Sequence, residues 1–175
     1  MFIPGQIISL ATFPGVVIHE LSHLICCRIF GAEVKDVCYF RLGNPSGYVI
    51  HAPCKNWLHT VAIAAGPFLF NSLLCIFLAF PVSLSGNLEE NSLIKIFILW
   101  LSISIGMHSI PSKGDAKSMW QAVSGKRGSI AAKLLVAPIV GFIYLMSLGS
   151  FIWLDLIYAL ILAAYIPSKL IYLVD

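Results

Sequence analysis

Five stretches of this 175-residue chain, 5–30, 57–82, 92–111, 130–148 and 150–171, are each about as long and as apolar as a helix must be to cross a bilayer. With 59% hydrophobic residues and only 11% charged ones, the chain has more apolar surface than a soluble domain of this size can hide. The expected fold is therefore an all-α polytopic membrane protein with about five transmembrane helices, and the partner implied first is the lipid bilayer. The same composition excludes disorder. A net charge of +3, from 11 basic and 8 acidic residues, leaves no basic field for nucleic acid. No linker or internal repeat divides the chain, so residues 1–175 read as one integral membrane domain. Its last part, 130–175, forms a helical hairpin around the tight junction Ser147-Leu148-Gly149-Ser150.

Lys and Arg positions set the expected orientation. Arg28, Lys35, Arg41 and Lys55 follow the first run, and Lys113, Lys117, Lys126, Arg127 and Lys133 follow the third. Glu89 and Glu90 lie between the second and third runs. Two basic connections on one side and an acidic one on the other place the N-terminus outside and the C-terminus, with Lys169, in the cytosol of a multi-pass cytoplasmic membrane protein. The residues before the first run carry no Lys or Arg, unlike a secretory signal, so that run is expected to stay in the mature protein. The five cysteines, Cys26, Cys27, Cys38, Cys54 and Cys75, are odd in number, and Cys26 and Cys75 sit in apolar runs; reduced packing residues are the expectation.

Depth sorts the acidic residues. Glu33, Asp36, Glu89, Glu90, Asp115 and Asp175 fall at or beyond the ends of the apolar runs, whereas Glu20 and Asp155 fall within them. An ionisable group inside a span costs roughly 2.5–3.5 kcal/mol even on insertion scales, which makes each a functional candidate. Glu20 stands in His19-Glu20-Leu21-Ser22-His23, an H-E-x-x-H motif. Residues four apart share one face of a helix, so both imidazoles can bind one metal ion. Glu20 lies about 100° round the helix from His19 and about 60° from His23, close enough to reach a water on that ion. A structural His-Glu pair joining helices is the plainer alternative.

A catalytic zinc needs a third protein ligand and an open position. Two further segments bear on this. The second run contains Gly66-Pro67-Phe68-Leu69-Phe70-Asn71, and the third ends in His108-Ser109-Ile110-Pro111-Ser112-Lys113-Gly114-Asp115. Together with H-E-x-x-H they resemble the site-2 protease family of intramembrane zinc metalloproteases, over roughly residues 5–125. The resemblance implies a zinc metalloendopeptidase that cuts peptide bonds within or near transmembrane segments of membrane-protein substrates. It implies His19, His23 and Asp115 as Zn2+ ligands and Glu20 as general base. Asn71 is implied as a residue that supports the ligands or positions substrate; His108 is either such a residue or a satisfied histidine at a helix end. This sequence departs from the family pattern in four places: Asn71 comes one residue late, His108 replaces an asparagine, Pro111 to Asp115 is one residue short, and Ala116 replaces a glycine.

Depth makes its own demand on Asp115. It follows the third run, whereas His19 is near the middle of the first, a mismatch approaching about 10 Å unless the Pro111–Gly114 segment folds back into the protein. Asp155, early in the fifth run, competes as third ligand; otherwise it is a carboxylate favoured by a helix start. His51 and His59, flanking Trp57, read as boundary residues. Between the first two runs, β-favouring residues 34–42 and 48–51 surround Gly43-Asn44-Pro45-Ser46-Gly47 and read as a small β-hairpin. Its edge can hold an unwound substrate by strand addition, or it simply covers the site. No stretch reads as an appended PDZ or CBS domain. Two other functional classes stay open: a metal-binding transporter, and a non-catalytic relative that binds membrane helices.

Overall fold

The computed structural model describes residues 5–84, 92–125 and 129–172. Glu89, Glu90, Lys126, Arg127 and Asp175, used above for orientation and depth, lie outside the described residues. The elements are α1 (Gly5–Ala11), α2 (Phe13–Ile29), β1 (Val34–Cys38), β2 (Tyr48–His51), α3 (Trp57–Leu84), α4 (Ser92–Met107), α5 (Lys113–Ser124), α6 (Ile130–Gly149), α7 (Leu154–Leu160) and α8 (Ile166–Tyr172). A 3-10 turn, Ser150–Ile152, follows α6, and a π-helical turn, Ile161–Tyr165, joins α7 to α8. The fold is mostly helical with one small two-stranded sheet.

Three helical stretches, Trp57–Leu84, Ile130–Ile152 and Leu154–Ile171, are long and apolar enough to cross a membrane, or four if the bent pair α1–α2 counts as one. Two expected runs look different in the structure. The first is not one helix: it breaks between Ala11 and Phe13 with a bend of 85°. Pro14 in the first turn of α2 has no N–H to give to the preceding turn, so it starts a helix but does not continue one. Thr12 Oγ1 donates back to Ile8 O at 2.7 Å, and Trp100 Nε1 donates to Ala11 O at 3.1 Å, so the break is held from both sides. The third run yields α4, which stops at Met107, and the chain through Pro111 is not helical.

Packing buries a set of polar residues and leaves many large apolar ones exposed. His19, Glu20, Ser22, His23, Asn71, Ser102, Ser104 and Ser109 are buried, whereas Phe77 is 73% exposed and Leu134 71%. Among the described residues α2 packs on α3 and α4, α4 packs also on α3 and α7, and α5 fits between α3 and α6. An apolar cluster joins Ala64 of α3, Met119 and Val123 of α5, and Val136 and Ile143 of α6, and it anchors the helix that carries Asp115. Gly15 lets α2 approach α4 closely: a Cβ there would collide with the Ser104 carbonyl and the His108 ring.

The expected hairpin is present. β1 and β2 pair antiparallel, with Asp36 opposite Ile50, Val37 opposite Val49 and Cys38 opposite Tyr48, and an irregularity at Lys35. Arg41 closes its loop, donating from the backbone to Ser46 O at 2.7 Å and from Nε to Pro45 O at 2.9 Å.

Candidate metal centre

One face of α2 carries His19 and His23, and their rings are fixed by backbone carbonyls. His19 Nδ1 lies 2.6 Å from His108 O, and His23 Nδ1 lies 2.9 Å from Ile63 O. A carbonyl only accepts, so both Nδ1 atoms carry the proton and both Nε2 atoms present lone pairs. Irregular helix geometry supplies both acceptors. Pro67, inside α3, has no N–H, which leaves the carbonyl four residues earlier, Ile63 O, without its helical donor. His108 O comes just past the end of α4, where carbonyls have no partner in their own helix. It also accepts from Asn71 Nδ2 at 3.1 Å.

This origin of the His23 acceptor leads to a two-sided expectation. Pro67→Ala restores an N–H that competes for Ile63 O. The variant is expected to unfold at a higher temperature, since proline costs about 3 kcal/mol in a helix interior. It is also expected to bind metal about 10–100-fold more weakly, the usual effect of losing a ligand's orienting partner. Thermal unfolding of the metal-free protein and a competitive metal titration measure the two halves separately.

Asp115 reaches the same place from another helix. It is the third residue of α5, where it forms a capping box with Ser112. Asp115 Oδ2 accepts from Ser112 N and Ser112 Oγ, both at 2.7 Å, and Ser112 Oγ accepts from Asp115 N at 3.1 Å. That leaves Oδ1 directed at His23 Nε2, 3.4 Å away, with Oδ2 4.0 Å from His19 Nε2. The non-helical segment 108–112 is thus what brings Asp115 to the two histidines.

His19, His23 and Asp115 each offer one ligand atom, all within 4.8 Å of one another. The donor set fits a small divalent cation. The two Nε2 atoms are 3.2 Å apart with lone pairs facing each other, an arrangement that is repulsive unless a proton or cation lies between them. Ligand atoms on a tetrahedral zinc at about 2.0–2.1 Å are themselves about 3.4 Å apart. Among the described residues, no other group of three His, Cys, Asp or Glu side chains converges in this way.

The site opens into a cleft of about 870 Å³, lined by α2, the hairpin loop 44–49, the segment 110–115 and the turn after α6. Glu20 lines it, and no described residue hydrogen-bonds to its carboxylate. The hairpin tip sits directly on it: a Cβ at Gly47 would lie 2.7 Å from Glu20 Cγ and 2.9 Å from Oε1.

The remaining residues singled out in the sequence take other places. Asn71 is fully buried and does not line the cleft; its Oδ1 accepts from Ser22 Oγ at 2.9 Å, so with His108 O it ties α2, α3 and the end of α4 together. His108 borders the cleft, and its Nε2 lies 2.8 Å from Thr12 Oγ1 at the α1–α2 break. Its backbone carbonyl is the group hydrogen-bonded to His19. Asp155 lines the cleft outside the three-residue group. His51 also borders the cleft, and His59 packs on Phe30 with ring centroids 5.1 Å apart. Cys26 and Cys27 are buried in an apolar cluster with Ile63.

Sequence reasoning missed Ser112, Thr12 and the Ile63 carbonyl. Ser112-Lys113-Gly114-Asp115 has the S-x-x-D form of a capping box, so Ser112 was findable. Compared with known proteins, the chain matches no family model, no curated protein and no solved structure.

Proposed function

We propose that the protein is an intramembrane zinc metalloprotease of the site-2 type, which hydrolyses peptide bonds within or near transmembrane segments. The observation that carries this reading is the convergence of His19, His23 and Asp115, from two helices far apart in sequence, beside the Glu20 carboxylate, to which no described residue hydrogen-bonds. The metal would be held by those three side chains; when bound, zinc supplies a Lewis acid for a carbonyl and lowers the pKa of a water to about 7. His108 O and Ile63 O keep the two imidazoles in the tautomer that leaves Nε2 free. Glu20 takes the proton of the attacking water on its carboxylate and delivers it to the leaving amine.

The remainder of the architecture suits a substrate drawn from a membrane. The apolar exterior of α3, α4 and α6 meets lipid. In this reading α1 lies along the outer surface, α2, α3, α4, α6 and α7–α8 make five crossings, and the C-terminus is cytosolic. A helical peptide bond is shielded by its own hydrogen bonds, so cleavage requires an unwound segment. The hairpin, whose loop lines the cleft, offers unpaired strand edges to hold one.

Zinc per chain tests the proposal, measured on detergent-purified wild type, His19→Ala, Asp115→Asn and Asp155→Asn side by side. Near-stoichiometric zinc is expected in wild type and in Asp155→Asn, with loss in His19→Ala and weakening in Asp115→Asn. A folded wild type that takes up no transition metal overturns the reading.

A further inference from the structure

The face of α2 opposite the metal ligands borders a second cavity. Leu21 and Ile25 follow His19 and His23 by two residues each, which is about 200° round the helix. With Leu73, Phe77 and Pro81 of α3 they line a groove of about 760 Å³ between the two helices. Its one polar lining residue is Ser22, which is buried, with its hydroxyl directed at Ile18 O, 2.8 Å away, and at Asn71 Oδ1, 2.9 Å away. The groove therefore presents no free hydrogen-bond donor to an occupant. Leu73 and Phe77 are largely exposed, so the described elements leave it open.

Length separates the occupants that fit. Along α3 the groove runs from Phe70 to Pro81, about 16 Å at 1.5 Å per residue. That is the depth of one leaflet, about 15 Å, and about half of what a crossing helix requires. An acyl chain fills it end to end, whereas a partner's transmembrane helix would leave half of its length outside.

Charge marks one end. Leu21, Ile25 and Arg28 stand four and three residues apart, so Arg28 continues the α2 wall of the groove past its last apolar residue. Ser22 meets Asn71 and Cys26 Sγ faces Gly66, so α2 and α3 run antiparallel and Arg28 lies beyond the Phe70 end. Arg28 is exposed, and among the described residues no carboxylate forms an ion pair with it. A guanidinium binds a phosphate through two parallel hydrogen bonds. In the proposed orientation this end of α2 is cytosolic, the side on which anionic lipids collect. An apolar slot one leaflet deep that ends at an arginine matches a phospholipid in both its parts.

We propose that the groove between α2 and α3 binds one anionic phospholipid of the cytosolic leaflet, with an acyl chain in the groove and the phosphate on Arg28. The site lies across α2 from the cleft and requires neither metal nor proteolysis; it shares with the protease reading only the placement in a membrane.

The test counts lipids on the intact chain by native mass spectrometry. Wild type released from detergent micelles is titrated with phosphatidylglycerol and, separately, with phosphatidylcholine of the same acyl chains. The first phosphatidylglycerol is expected to bind about fivefold more tightly, the effect of one cation beside an anionic headgroup. Arg28→Gln is expected to make the two lipids equal, and Arg28→Lys to keep the preference. Leu73→Trp, which puts an indole into the groove, is expected to weaken both lipids about tenfold, the equivalent of roughly two methylenes kept out. Both positions are exposed, so neither substitution opens the core. Equal binding in wild type, a preference that survives Arg28→Gln or is lost in Arg28→Lys, or affinities unchanged in Leu73→Trp overturns the proposal. So does a lipid-free dimer that Leu73→Trp dissociates, which would give the groove to a second copy. A wild type that keeps the lipid preference but takes up no zinc defeats the protease reading alone.

Discussion

Glu20→Gln is expected to keep its zinc and to cleave on the order of 10³-fold more slowly than wild type, within the range that general acid–base groups supply. The substitution preserves size and one acceptor oxygen but removes the basic site that, in the proposed mechanism, receives the water proton. Because His19, His23 and Asp115 are held by His108 O, Ile63 O and Ser112 rather than by Glu20, their positions do not depend on its charge. The assay is mass spectrometry of transmembrane peptides incubated with protein in micelles, with zinc content measured on the same samples. Full cleavage by Glu20→Gln would remove Glu20 from the chemistry, whereas loss of zinc would make it a ligand instead.

Gly47→Ala should be nearly as damaging, although it changes no group that titrates or binds metal. The added methyl would stand 2.7 Å from Glu20 Cγ and 3.0 Å from Tyr39 O, closer than side-chain carbons come to their neighbours. The Tyr39 carbonyl is backbone and part of the hairpin, so the flexible Glu20 carboxylate is the group that yields. Displacing a catalytic group by about 1 Å can cost on the order of 10²-fold in rate. The expected result is cleavage reduced by that factor with zinc content unchanged. Unreduced cleavage in Gly47→Ala would show that the hairpin tip is not in this position when substrate is bound.

Much of this arrangement is legible in the sequence, and the parts that are not have physical reasons. H-E-x-x-H is legible because the helical repeat fixes which residues share a face, whatever the rest of the chain does. The hairpin is legible because Gly43-Asn44-Pro45-Ser46-Gly47 demands a turn. The break after Ala11 was open to view in Pro14, but hydropathy averaged over 5–30 conceals it. Pro67 announces a free carbonyl at Ile63, yet local sequence does not tell which donor takes it; His23 is 40 residues away. Asn71 shows the same limit from the other side. Its residue type suggests a part in chemistry, and only the packing of α2, α3 and α4 reveals a buried clamp.

Asp115 answers to two masters through its two oxygens, one toward Ser112 at the start of α5 and one toward His23. A residue with one duty drifts among chemical equivalents over evolutionary time. Glutamate has the same charge, but its extra methylene moves the carboxylate away from one partner as it reaches the other, and asparagine keeps the shape while giving up charge. The range of acceptable replacements at this position is therefore narrower than metal chemistry alone would set. Changes that relocate the proposed third ligand would have to rebuild the helix start at the same time.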